Sequence, residues 1–93
     1  MFARFYVPDV PRLGNVAISR HAQAEAEADG ITESAFHRVL EHGVDKPDGL
    51  TTVWRELDGV RLVILLRPEP FRGACLVTTA YRIQPRARVR KDR

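Results

Sequence analysis

Ninety-three residues with 44% hydrophobic content make one globular domain with one modest core. The longest apolar run, Leu62 to Leu66, is five residues, far short of the roughly 18 a membrane span needs, and no secretory pattern opens the chain. A single cysteine, Cys75, excludes an internal disulfide framework and a cysteine-based zinc site and points to the cytoplasm. The net charge of +3 is unevenly spread. Residues 83–93 read as a basic C-terminal tail. With Arg82 they hold Arg86, Arg88, Arg90, Lys91 and Arg93 against Asp92 alone. Residues 1–82 read as the single domain. Such a tail either binds polyanions by counterion release or is a solvated end that aids solubility.

Phe2 to Val7 is apolar and aromatic, a short strand or an arm over the core, ended by Pro8 and Pro11. Leu13-Gly14-Asn15 reads as a turn. Ser19 is an N-cap for a helix over Arg20 to Asp29, which holds four alanines and closes on Gly30. Thr32 caps a second helix, Glu33 to His42, with Phe36, Val39 and Leu40 at helical spacing and Gly43 as its stop. Asp45 to Gly49 is turn-like. Thr51 to Leu57 and Val60 to Arg67 read as a hairpin about Asp58-Gly59. Its register pairs Leu57 with Val60, Arg55 with Leu62, Val53 with Ile64, Glu56 with Arg61 and Trp54 with Val63. Ala74 to Arg82 is a further strand. The expected fold is α+β: two N-terminal helices on an antiparallel sheet of three to four strands in ααβββ order, covered on one face and open on the other.

Four groups of residues bear on chemistry. His21 shares a helix face with Glu25, and a neutral imidazole at a helix start can act as a general base; it can equally be a surface histidine without a role. Alternation sets Thr79 and Tyr81 on one face with Cys75 and Val77, where the hydroxyls can hold a phosphate or simply suit a strand. Arg61, Arg67, Arg55 and Arg20 can clamp a phosphate, although Arg61 also fits a cross-strand pair with Glu56. Trp54 can stack a base or fill the core. The pairs His21–Glu25 and His37–Glu41 lie on different helices and lack a metalloprotease motif, so no metal is expected. Cys75 reads as a packed thiol.

The run Ile18-Ser19-Arg20-His21-Ala22, then Asp29-Gly30-Ile31-Thr32-Glu33, then Val39-Leu40 and Gly43, with the closing Val77-Thr78-Thr79-Ala80-Tyr81, resembles the DUF4258 family. The likeness covers residues 18–82. Asp29 stands where many relatives have arginine, and the first helix is richer in alanine and acid. That family is grouped with the RelE, colicin and barnase-like nuclease folds. The resemblance implies a metal-independent endoribonuclease toxin without cofactor, which activates the RNA 2′-hydroxyl for attack on the adjacent phosphate. It implies His21 as acid or base, Arg61 as phosphate clamp, and Thr79 and Tyr81 as donors. RNA contacts would come from Arg20, Trp54, Arg67, Arg82, Arg86, Arg88 and Arg90. The partners implied are RNA and an antitoxin or immunity protein, with no membrane. The exposed edges of the expected sheet also leave room for a homodimer through an edge strand. The other reading is a non-catalytic module that binds nucleic acid or protein through the open sheet face and the tail.

Overall fold

A computed structural model describes residues 2–67 and 73–83. Two strands, β1 (Tyr6–Val10) and β2 (Gly14–Ile18), precede the helices α1 (Arg20–Ala28) and α2 (Glu33–His42). Four more follow: β3 (Val44–Pro47), β4 (Thr52–Leu57), β5 (Val60–Leu65) and β6 (Ala74–Arg82). The expected ααβββ order on a three- to four-stranded antiparallel sheet is therefore wrong. The sheet has six strands in the order β1-β2-β6-β5-β4-β3. It is mixed, because β2 runs parallel to β6 while the other neighbours are antiparallel.

Local chemistry explains both what was expected and what was missed. The Ser19 hydroxyl accepts from the Ala22 amide and the Thr32 hydroxyl from the Ala35 amide, so both helices start at a side-chain cap. Gly30 has φ +71°, the left-handed conformation that ends α1. Pro8 does not end a strand but lies inside β1, an edge position where a missing amide is tolerated. The aromatic start is instead an arm, with Phe2 buried edge-on against Phe36 at 5.1 Å between centroids. Val44–Pro47, expected as loop in its later part, pairs with β4 from Val44–Glu56 to Pro47–Val53.

The β4–β5 hairpin has the register expected of it, from Leu57–Val60 to Val53–Ile64. Strand β6 departs from simple alternation. Between the pairs Val63–Thr79 and Ile64–Val77 the ladder slips by one residue, which leaves Thr78 as a bulge. The bulge reverses the facing of everything after it. Cys75, Val77 and Ala80 are buried under the helices, while Thr79 and Tyr81 lie opposite Val63 and Arg61 on the other face. The expectation that Cys75, Val77, Thr79 and Tyr81 share one face is thus corrected.

Both helices lie on one face, α1 over β6 and α2 over β4 and β5. Ala22 and Ala26 are fully buried, so α1 sits close to the sheet. Beyond Ile18 strand β2 turns away into α1, and the side of β6 it leaves bare is taken over by the helix. The Ser19 amide donates to Val77 O, Glu25 Oε1 accepts from the Ala80 amide at 3.1 Å, and Asp29 Oδ2 accepts from the Arg82 amide at 3.0 Å. Two carboxylates one helical turn apart stand in for a strand's carbonyls, which accounts for the acidic character of α1.

The sheet curls around its core. Fully buried Arg55 on β4 reaches Pro11 O, in the turn between β1 and β2, at 2.9 Å, although β5 and β6 separate β4 from β2. Its Nη1 donates to Leu40 O, and its Nε and Nη2 grip Asp45 in a two-pronged pair. The Arg55 hydrogen bonds, and a second set from Arg12, hold the Asp45 carboxyl below its ordinary range despite burial. Gly43 stops α2 for a steric reason. A Cβ there would stand 2.5 Å from Val39 O and 2.6 Å from Arg55 Cγ.

Candidate functional site

The open face is built by the alternate residues that the helices do not cover. On β5 these are Arg61, Val63 and Leu65, since Val60, Leu62 and Ile64 are buried in the core. Cross-strand pairing then brings Tyr81 beside Arg61, Thr79 beside Val63, and Trp54 beside Val63 on its other side. Arg61 occupies the centre. Its guanidinium carbon lies 4.0 Å from the Trp54 ring centroid and 5.6 Å from that of Tyr81. Nε donates to Glu56 Oε2 at 2.5 Å and Nη1 to the Tyr81 hydroxyl at 2.9 Å. Nη2 has no hydrogen-bond partner among the described residues. The other oxygen of Glu56 meets Lys46 Nζ at 3.0 Å. Desolvation opposes charge on both groups, but the hydrogen bonds outweigh it. Those from Lys46 and Arg61 lower the Glu56 carboxyl, and those to Tyr81 and Glu56 raise Arg61.

His21 stands on the β6 side of α1. Its Nε2 lies 3.2 Å from Glu25 Oε2, and the other oxygen of Glu25 is the one fixed on the Ala80 amide. The Ser19 hydroxyl, two residues before it, donates to Thr78 O. The imidazole is thus tethered along β6 at the level of Thr78 to Ala80, with its side chain 70% exposed. No hydrogen bond or ion pair among the described residues joins His21 to Arg61, Thr79 or Tyr81. What the fold brings together on the open face is a row across the strands: Thr79 and Tyr81, then Arg61, then Trp54. His21 with Glu25 belongs to α1 on the covered face and meets β6 through the Glu25–Ala80 bond.

The remaining candidates scatter. Arg82 is engaged in the fold, where its Nε and Nη2 donate to Asp29 O and Gly30 O at the end of α1. Arg67 lies beyond the end of β5, at a cleft of about 370 Å³ with Arg12, Leu13 and Cys75. Arg20 borders a smaller pocket with Phe5, Gln23 and Ala24. Arg55 is enclosed in the core. Arg86, Arg88, Arg90 and the rest of the basic tail lie outside the described residues. His37, weighed with Glu41 for a metal, is 3.7 Å from Glu33. Glu33 also accepts the Ala3 and Arg4 amides, which lower its carboxyl. No cluster of three or more potential metal-ligating His, Cys, Asp or Glu side chains forms among the described residues. Burial raises the Cys75 thiol, which its position under the helices explains.

Reading the sequence missed Glu56 and Lys46 as parts of the site. The Glu56–Arg61 cross-strand pair was legible, but Lys46 joins it only because residues 44–47 form a strand. No described helix is long and apolar enough to cross a membrane. Comparison with protein-family models, curated proteins and solved structures found no match to this chain.

Proposed function

We propose that this row is an RNA site, with His21 serving it from α1, and that the protein is a metal-independent endoribonuclease of the toxin type. The observation that carries this reading is Arg61. Its guanidinium carbon stands 4.0 Å from the centre of an aromatic ring and two of its nitrogens are bonded, while the third has no hydrogen-bond partner among the described residues. An arginine so held is preorganised for a phosphate oxygen. The Tyr81 hydroxyl accepts from Arg61, which leaves its own proton to donate to the same phosphate. Glu25 holds His21 through Nε2, so Nδ1 is the nitrogen that exchanges a proton with substrate. In the reaction a base removes the 2′-hydroxyl proton and the 2′-oxygen attacks phosphorus. The bond to the 5′-oxygen breaks, and that oxygen leaves with a proton. His21 serves one of these transfers. Thr79, on the same open face as Tyr81, donates to a phosphate oxygen. The resemblance of residues 18–82 to DUF4258 points the same way, and with it come an antitoxin or immunity protein as partner and the cytoplasm as location.

The test is incubation of purified protein with single-stranded RNA in excess chelator. Cleavage leaving 2′,3′-cyclic phosphate ends is expected. His21→Ala should lower the rate by about 10²–10⁴-fold with unchanged circular dichroism. Intact RNA that nonetheless binds would favour the second reading, a non-catalytic module on the same face. That reading draws on Glu56, which offsets the Arg61 charge, and on the lack of a direct bond from His21 to Arg61.

A further inference from the structure

We infer that the site continues past Arg61 across β4 to β3, and that its ligand is single-stranded RNA lying across the strands, with Lys46 taking a backbone phosphate. This rests on the reading of the row as an RNA site and adds a substrate class and two residues, Lys46 and Glu56.

Glu56 joins the two halves of this path. Its side chain is only 13% exposed, yet it carries a cation on each oxygen: Arg61 Nε at 2.5 Å and Lys46 Nζ at 3.0 Å. One carboxylate thus fixes two positive groups on either side of β4. Glu56 is the only carboxylate at the open-face positions of β3, β4, β5 and β6 among the described residues. The local balance is therefore one net positive charge, and Lys46, 58% exposed, is its accessible end. Trp54 lies between the two cations, paired with Lys46 on one side and Val63 on the other. Its indole, with the Arg61 guanidinium 4.0 Å from the ring centre, supplies the aromatic and cationic groups on which an unstacked base lies.

The spacing selects the ligand. From β6 to β3 there are three inter-strand steps of about 4.8 Å, so the path measures about 14 Å. That exceeds one nucleotide and suits a short oligonucleotide, with alternating charged and flat aromatic contacts across it. A duplex keeps its bases stacked inside and offers nothing to Trp54. Glu56 acts through its neighbours and is a positioning residue: it holds Arg61 and Lys46 at a fixed separation.

The experiment measures binding of a fluorescein-labelled single-stranded RNA hexamer to the full chain across a salt series, with the same sequence as a duplex alongside. Cleavage of the same hexamer is followed separately. The wild type should bind the single strand more tightly than the duplex. Lys46→Ala should weaken binding and reduce the slope of log affinity against log salt by about 0.7, the value for one phosphate contact on a single strand. Lys46→Arg should restore the slope. Trp54→Ala should weaken binding about 5- to 150-fold. Trp54→Phe, which keeps a ring against Arg61, guards against a loss that is only misfolding. A slope and affinity unchanged in Lys46→Ala, or a duplex bound as tightly as the single strand, overturns the inference. Cleavage that persists alongside that result leaves the ribonuclease reading standing. Binding as expected without cleavage removes the acid–base role of His21 and keeps the path.

Discussion

Two arginines on the β4–β5 hairpin have opposite fates. Arg55 faces the helices and is fully buried, with Nε, Nη1 and Nη2 all bonded to Asp45, Leu40 O and Pro11 O. Arg61 faces outward and is tied to Glu56 and Tyr81, with Nη2 unbonded among the described residues. Both form a close ion pair with a carboxylate, so the ion pair alone does not distinguish structure from function. What distinguishes them is the remaining donors. Arg55 spends every nitrogen on protein, closing the β1–β2 turn onto the α2–β3 junction. Arg61 is held in place and still has a donor and a planar face to offer.

The contrast breaks most sharply at Arg55. Arg55→Ala leaves the Asp45 carboxylate and two carbonyls without their buried partner and should cost about 3–5 kcal/mol. That is a large share of the roughly 5–15 kcal/mol a domain possesses, and urea unfolding would measure it. A loss below about 1 kcal/mol would mean the arginine knot holds little together. Gly43→Ala tests the same region through packing. Its methyl meets Arg55 Cγ and Val39 O inside contact distance, and the strain should cost about 1–3 kcal/mol in the same assay. Arg61→Ala is the counterpart on the open face. Its pair is mostly covered, with Arg61 19% and Glu56 13% exposed, but Glu56 keeps Lys46 as a partner when Arg61 is removed. The stability change should stay near or below about 1 kcal/mol, while RNA affinity falls. A thermal melt that drops as far as that of Arg55→Ala would show that the two arginines are alike after all.

The same contrast marks what could be read from the sequence. Both helices were legible because Ser19, Thr32 and Gly30 are local signals with local causes. The hairpin was legible because Asp58-Gly59 fixes a register that needs no distant partner. Strand β2 was not, since Gly14–Ile18 is short and its parallel partner β6 begins 60 residues after it does. Strand β3 was not, since Val-Asp-Lys-Pro carries no apolar pattern, and Asp45 faces inward only because Arg55 awaits it. The register puts Arg55 on the apolar face beside Leu62, but the knot it makes was not legible, because its partners lie in three separate segments. The neighbourhood of Arg61 and Tyr81 depends on the bulge at Thr78, which has no side-chain signature. The site was visible as residue types and invisible as an arrangement, because one extra residue in β6 decides which face they share.

The carboxylates of α1 that receive the Ala80 and Arg82 amides have a consequence for how the molecule opens. An amide in the middle of a sheet loses protection from solvent exchange when its neighbouring strand departs. These two answer to a helix instead. Their exchange is therefore coupled to the undocking of α1, and the helix that carries His21 and the strand that carries Tyr81 belong to one cooperative unit of opening.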